Sequence, residues 1–189
     1  MGNDFESCQK YVAEAEGGAN FTVMNGKAVL KPKSRADRGG PTKYGITWGT
    51  LGKAYSQGIV AHNDITQLTR DEARAIYRVF FWGASKADKM RWGLCLVHYD
   101  CAVNCGVSGA AKQLQRALCR LGANITIDGA VGPKTLAAIA EHPTEAVAQE
   151  YLRVREAFYR GLVSRDPKQG NFLQGWMNRL EKIRRGIGL

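Results

Sequence analysis

Acidic residues are scarce in this chain. Its 189 residues hold 17 Asp and Glu against 27 Lys and Arg, a formal charge of +10. The field around it therefore favours an anionic partner. Nucleic acid, anionic lipid and the teichoic-acid or lipopolysaccharide surfaces of bacteria all satisfy that, and charge alone does not choose among them. Paired cysteines are lacking too: Cys8, Cys95, Cys101, Cys105 and Cys119 are odd in number and show no even spacing, so they read as reduced thiols and not as a disulfide framework. No Ser-, Gln- or Pro-rich tract argues for disorder. No run of 18 apolar residues argues for a membrane-spanning helix. The start, Met1-Gly-Asn-Asp-Phe-Glu-Ser, has no basic segment followed by an apolar one, so the expectation is a protein made in the cytoplasm without an export signal of its own. With 44% of its residues apolar, the chain can build one core or two small lobes packed against each other.

Phe5, Cys8, Val12 and Ala15 follow helical spacing, so residues 4–15 read as a helix, stopped by Gly17 and Gly18. Phe21 to Met24 and Lys27 to Leu30 flank Asn25-Gly26, the pair that best tolerates the two positive φ values of a type I′ turn, which predicts a short hairpin. This is the one clear β signal. Residues 31–45 hold too many glycines, prolines and like charges for regular structure and read as a functional loop. Thr69-Arg-Asp-Glu72 has capping-box spacing and predicts a helix to about Trp82. From about Lys89 to Asn104 the pattern is apolar nearly all round, as in a buried helix. Further helices are expected from Ser108 to Gly122, from Pro133 through Ile139, over 144–163 and over about 171–186. The fold class is mainly α with one short β-hairpin.

Cys95, His98, Cys101 and Cys105 are all types that ligate metals, but four residues on one helix do not converge on one atom. They read as core residues, with His98 satisfied by a neighbour or by solvent. No metal and no cofactor is expected.

Glu16 closes the first helix and precedes Gly17-Gly18, where backbone can approach a ligand closely. A carboxylic acid seated there can serve as a general acid for glycosidic cleavage if apolar surroundings keep it protonated. It can equally be an ordinary helix-end glutamate. The loop from Asp37 to Thr47 offers a carboxylate, two hydroxyls and a phenol among glycines. Asp37 is a candidate base or water-orienting group, Thr42 and Thr47 are candidates to hold that water, and Tyr44 is a candidate platform for a sugar ring. The alternative is a turn-rich surface loop whose last threonine caps a helix beginning at Trp48.

Taken together, Ala15-Glu16-Gly17-Gly18 and Asp37-x-Gly39-Gly40-x-Thr42-x-x-Gly45-Ile46-Thr47 resemble the N-terminal half of glycoside hydrolase family 108, the bacterial and phage N-acetylmuramidases. Asp100-x-Ala102-Val103-Asn104-x-Gly106, Leu114-Gln115-x-Ala117-Leu118 and Asp128-Gly-x-x-Gly132-x-x-Thr135-Leu136 resemble the peptidoglycan-binding region that follows it, and Phe172-x-x-Gly175-Trp176-x-Asn178-Arg179 its C-terminal signature. The resemblance implies a lysozyme-like helical fold with the hairpin near the active site. It implies a muramidase cutting the β-1,4 bond between N-acetylmuramic acid and N-acetylglucosamine, with Glu16 as catalytic acid; Asp37 is the second choice of catalytic carboxylate. Thr42, Tyr44, Thr47, Asn104, Trp176 and Asn178 become the expected substrate-binding residues. The implied division is a catalytic lobe over 1–92, a peptidoglycan-binding region over 93–170 and a basic amphipathic helix over 171–189 that packs back on the catalytic lobe. Two departures stand out: Ala19 follows the Glu-Gly-Gly triplet where the family often has an aromatic, and cysteines occupy positions 101 and 105. A monomeric endolysin, released to the periplasmic wall through a holin, fits this picture best.

Rival readings remain. The tail mixes Arg179, Lys182, Arg184 and Arg185 with Phe172, Trp176, Leu180 and Ile183, so it either packs its apolar face or binds anionic outer membrane or lipopolysaccharide. Nucleic-acid binding is not expected, because the basic residues are scattered rather than gathered on a recognition helix. A non-catalytic peptidoglycan-binding or secretion-assisting protein is the alternative, against which retention of Glu16 argues.

Overall fold

The computed structural model describes residues 4–16, 18–31 and 40–189, the side chains of 14–16 excepted. Among them run α1 (Asp4–Glu16), the strands β1 (Phe21–Met24), β2 (Lys27–Leu30), β3 (Thr42–Lys43) and β4 (Ile46–Thr47), and then six helices. These are α2 (Trp48–Ser56), α3 (Arg70–Tyr77), α4 (Leu94–Arg120), α5 (Pro133–Ala140), α6 (Thr144–Arg165) and α7 (Gly170–Gly186). The chain divides into two compact units, Gln9–Phe80 and Met1–Cys8 with Phe81–Leu189.

In the unit Gln9–Phe80, β1 and β2 pair antiparallel from Phe21↔Leu30 to Met24↔Lys27, around Asn25 (φ 49°) and Gly26 (φ 73°). Both turn residues are left-handed, as the dipeptide predicts. A second hairpin joins it where only irregular backbone was expected: Thr42↔Thr47 and Lys43↔Ile46 pair around Tyr44 (φ 53°) and Gly45 (φ 75°). Its turn was hidden because a tyrosine seldom occupies a left-handed position. Asn20 ties the two hairpins together. Its Oδ1 accepts from the Thr42 amide at 2.7 Å, its Nδ2 donates to the Gly40 carbonyl, and its own backbone bonds Thr42 on one side and Lys31 on the other. Thr47 caps α2 by accepting from the Thr50 amide. Thr69 and Glu72 form the expected reciprocal cap of α3, after which residues 78–83 continue as a π-helical stretch.

In the other unit, α4 is the buried centre: every residue from Leu94 to Ala102 is removed from solvent. The two helices expected on either side of residue 106 run on as one element with a break at Gly106, whose φ of 73° and ψ of 160° are not helical. Phe5, Trp82 and Tyr99 meet edge to face with ring centroids 5.4–6.0 Å apart. Against α4 lie α6 and α7. Arg155 of α6, fully buried, puts Nη2 on Asp100 Oδ2 at 2.7 Å, and Arg179 of α7 puts Nε on Asp100 Oδ1 at 2.8 Å. Leu180 and Ile183 of α7 are buried, and Arg184 pairs with Glu156, so the apolar face of this helix is used in packing.

Candidate functional site

The unit Gln9–Phe80 contains a cleft of about 400 Å³. One wall is the last two turns of α1, represented by Gln9 and Ala13, continuing to Gly18. The opposite wall is α3, which contributes Arg70, Asp71 and Tyr77, and Tyr44 reaches in from the second hairpin. Glu16 is the last residue of α1, seven residues after Gln9 and three after Ala13. The Glu16 side chain and the whole of Asp37 lie outside the described residues.

Tyr44 is held in its strained turn by a hydroxyl from α3: Tyr77 Oη donates to the Tyr44 carbonyl at 3.0 Å. Its ring lies 5.4 Å from the Arg70 guanidinium carbon and 5.6 Å from Lys43 Nζ, cation–π distances that fix its orientation. The Thr47 hydroxyl is occupied at the α2 cap, between the Thr50 amide and the Thr50 hydroxyl at 2.9 Å. Thr42 is positioned through its backbone by Asn20. Sequence reasoning passed over Asn20, Gln9, Arg70 and Asp71. Asp71 is the described carboxylate of this cleft, and in sequence it is merely an acidic residue in a first helical turn, where the helix dipole favours it.

A second cavity, about 420 Å³, lies wholly in the other unit between α4, α6 and α7. Here Asn104 and Trp176 come together. Asn104 Nδ2 donates to the Asp100 carbonyl at 2.6 Å, and Trp176 stacks on Tyr159 with ring centroids 4.8 Å apart and planes 17° from parallel. Cys105 also lines this cavity. A hydrogen bond from the Cys101 thiol, the Arg155 cation and the Gln113 amide bring the Cys105 thiol down to about 6, against the opposing effect of burial. Asn178 is not brought to the same place. It is exposed, accepts from Gln174 Nε2 at 2.8 Å, and borders a shallow surface depression with Lys182 and Arg185.

His98 is fully buried between the Tyr151 hydroxyl (3.1 Å) and the Ser85 carbonyl (3.0 Å), and burial, with the Arg155 cation, lowers its pKa to about 4. Among the described residues no group of three His, Cys, Asp or Glu could hold a metal ion. Nor is any described helix long and apolar enough to cross a membrane.

A family model described as glycosyl hydrolase 108 matches residues 10–106, just over half of the chain. The chain belongs to the glycosyl hydrolase 108 family. A second model, described as a predicted peptidoglycan domain, matches residues 109–181 of this family member. Among solved structures, that of SagA from Brucella abortus superposes with a TM-score of 0.75 at 28% identity, covering 100% of this chain and 96% of that one. No curated protein matches it. The fold is the mainly α, lysozyme-like one, and the glycosyl hydrolase 108 protein is a glycoside hydrolase whose partner and substrate is peptidoglycan.

The geometry also explains the shared motifs of its second half. Gln115 Nε2 donates to Asp128 Oδ1 at 2.7 Å and to the Ala130 carbonyl at 3.0 Å, while its Oε1 accepts from the Gly129 amide at 2.9 Å. Thr135 closes the same knot. Gly129 has φ of 85°, and a Cβ there would come within 2.5 Å of Ser108 Oγ. These motif residues build the scaffold and do not reach into either cavity.

Proposed function

We propose that this family member hydrolyses the β-1,4 bond between N-acetylmuramic acid and N-acetylglucosamine, with Glu16 as the general acid. The observation that carries the reading is the position of Glu16: last residue of a helix whose preceding turns line a sugar-sized cleft, and two residues before Gly18 of the same cleft. A glycosidase needs its acid at such a wall, shielded enough to stay protonated and within reach of the leaving oxygen. The Tyr44 ring, oriented by Arg70 and Lys43, offers a flat face for a pyranose. Thr42, held through its backbone by Asn20, borders the loop that carries Asp37.

Asp37 is the proposed second carboxylate, acting on water or on the anomeric carbon from the opposite side of the sugar ring. A separation of about 5 Å from Glu16 would give retention and one of about 6.5–9.5 Å inversion. The division of labour follows the sequence: residues 1–92 cut, 93–170 grip the wall, and 171–189 close the fold. Asn104 and Trp176 belong to the grip, and Asn178, apart from them on the surface, is an outlying contact to the same wall. Thr47 is assigned to the α2 cap, in keeping with its occupied hydroxyl.

The test is reducing-end release from purified sacculi by the wild type and by Glu16→Gln, with products identified by mass spectrometry. Muramic-acid reducing ends from the wild type, falling by about 10²-fold or more in a folded variant that still sediments with sacculi, support the reading. Undiminished release by the variant would move the catalytic role to another carboxylate, Asp71 first. No turnover by either protein would leave a wall-binding module.

A further inference from the structure

The cavity between α4, α6 and α7 has a chemistry that the glycan strand alone does not account for. Beyond the break at Gly106, residues Gly109, Lys112, Gln113 and Arg116 recur at helical spacing and line its α4 side. Lys112 and Arg116 are exposed at its rim, and no carboxylate among the described residues lines it. Gln113 is only 2% exposed, yet its Oε1 has no hydrogen-bond partner among the described residues. The other end of the same amide bonds the Cys105 sulfur, so an amide and a thiol of the cavity lining are held together and Oε1 is left as the unpaired acceptor of that pair. Buried acceptors without a donor are rare in folded proteins, and this one, on a residue of the cavity lining, gains a donor when the Gln113 side chain turns toward a ligand there. The floor is the Tyr159–Trp176 stack, an apolar plane. At about 420 Å³ the space falls in the roughly 300–1,000 Å³ range of small-ligand sites.

We propose that this cavity is a subsite for the peptide stem of peptidoglycan, with a stem carboxylate at Lys112 and Arg116, a stem amide or ammonium N–H on Gln113 Oε1, and side-chain carbons on Trp176. The proposal rests on peptidoglycan being the substrate and deepens it. The sugars of the wall are neutral, and its negative charge lies in the carboxylates of the stems. A cationic rim with a buried acceptor and an aromatic floor matches a stem better than a sugar ring, which would need several paired donors and acceptors and no net charge. Arginine and lysine at a rim give charge-assisted hydrogen bonds to a carboxylate, so occupancy will weaken as salt rises.

The experiment is calorimetric titration of the full chain with the tripeptide L-alanyl-γ-D-glutamyl-meso-diaminopimelate, with neutral chitotetraose as comparison. The tripeptide is expected to bind, and Arg116→Glu and Gln113→Leu are each expected to weaken it by about tenfold or more, the loss of one charged or buried hydrogen bond. Arg116→Glu should leave the melting temperature unchanged, because Arg116 is exposed, whereas Gln113→Leu also gives up the bond to the Cys105 sulfur and should lower it slightly. Tripeptide should also slow alkylation of Cys105 by iodoacetamide, read by mass spectrometry. Failure of the tripeptide to bind, or equal binding by both variants, overturns the subsite. If the wild type still sediments with and cleaves sacculi in that case, only the subsite falls. If it does neither, the peptidoglycan reading falls with it.

Discussion

Arg179 Nε lies 2.8 Å from Asp100 Oδ1, joining two motifs 79 residues apart. The other oxygen of that carboxylate receives Arg155 Nη2 at 2.7 Å, and all three groups are removed from most solvent. A carboxylate that holds two guanidiniums orients α4, α6 and α7 together, and those helices enclose the second cavity. The place of Asp100 and Arg179 in the two motifs is thus a matter of architecture. Neither needs to touch substrate.

Removing the shared partner should therefore cost far more than removing one of its two guests. Asp100→Ala leaves Arg155 charged and buried with no counter-ion, and is expected to destabilise by about 3–5 kcal/mol. Arg179→Gln leaves the Asp100–Arg155 pair intact, its own side chain being 16% exposed, and should cost about 1–2 kcal/mol. Urea unfolding of both variants measures the difference. Equal losses would mean that the two arginines are not held by one carboxylate.

Tyr44 invites the opposite kind of change. A left-handed tyrosine costs about 1–2 kcal/mol, which glycine would recover in part. Tyr44→Gly should raise stability by up to about 1 kcal/mol while raising KM for glycan fragments by roughly tenfold, the worth of one ring–sugar face. A variant more stable and equally active would show that the ring is no platform. One less stable would show that the contacts with Arg70 and Lys43 outweigh the strain.

What could be read from the residues in advance was what is local. The Asn25-Gly26 turn, the Thr69–Glu72 cap, Pro133 at a helix start and the apolar run through Leu94 each carry their cause within a few residues. The second hairpin does not, since the Tyr44 turn is held by Tyr77, 33 residues away. Asn20 belongs to no motif, yet organises both hairpins through atoms that sequence does not rank. Glu16 and Tyr44 could be singled out by chemistry. That Gln9, Arg70 and Asp71 share a cleft with Tyr44 is a tertiary fact. Asn104 and Trp176 were legible only through family resemblance, and Asn178, reached the same way, lies elsewhere on the surface.

The knot around Gln115 predicts a local loss. Gln115→Leu strands the Gly129 amide and the Ala130 carbonyl, and is expected to cost about 2–4 kcal/mol. Limited proteolysis should then open the chain between Gly122 and Gly132 before any other described loop. Gly129→Ala should do the same through its φ of 85° and the Ser108 contact. Unaltered cleavage in both variants would show that the loop is held by something other than this amide.

His98 couples the stability of the fold to acid. Burial, helped by Arg155, lowers its pKa to about 4, against about 6.5 in the unfolded chain. Between those values the unfolded chain binds the extra proton and the folded one does not. The stabilising effect is therefore fully present above pH 6.5 and is lost as pH falls toward 4, about 3 kcal/mol in all. The hydrogen bonds pull the other way: Nε2 faces a carbonyl, which can only accept, and the Tyr151 hydroxyl has one proton for two acceptors, His98 Nδ1 and the Ala110 carbonyl. A protonated ring would satisfy every one of these atoms, so the low pKa holds only if the desolvation of a fully enclosed cation outweighs them. Titration of the His98 ring by NMR decides between the two. A folded-state pKa near 4, with stability falling from pH 6.5 downward and flattened in His98→Gln, is the expected result. A value at or above 6.5 would mean that the Ser85–His98–Tyr151 chain governs the proton, and stability would then hold steady or rise as the solution is acidified.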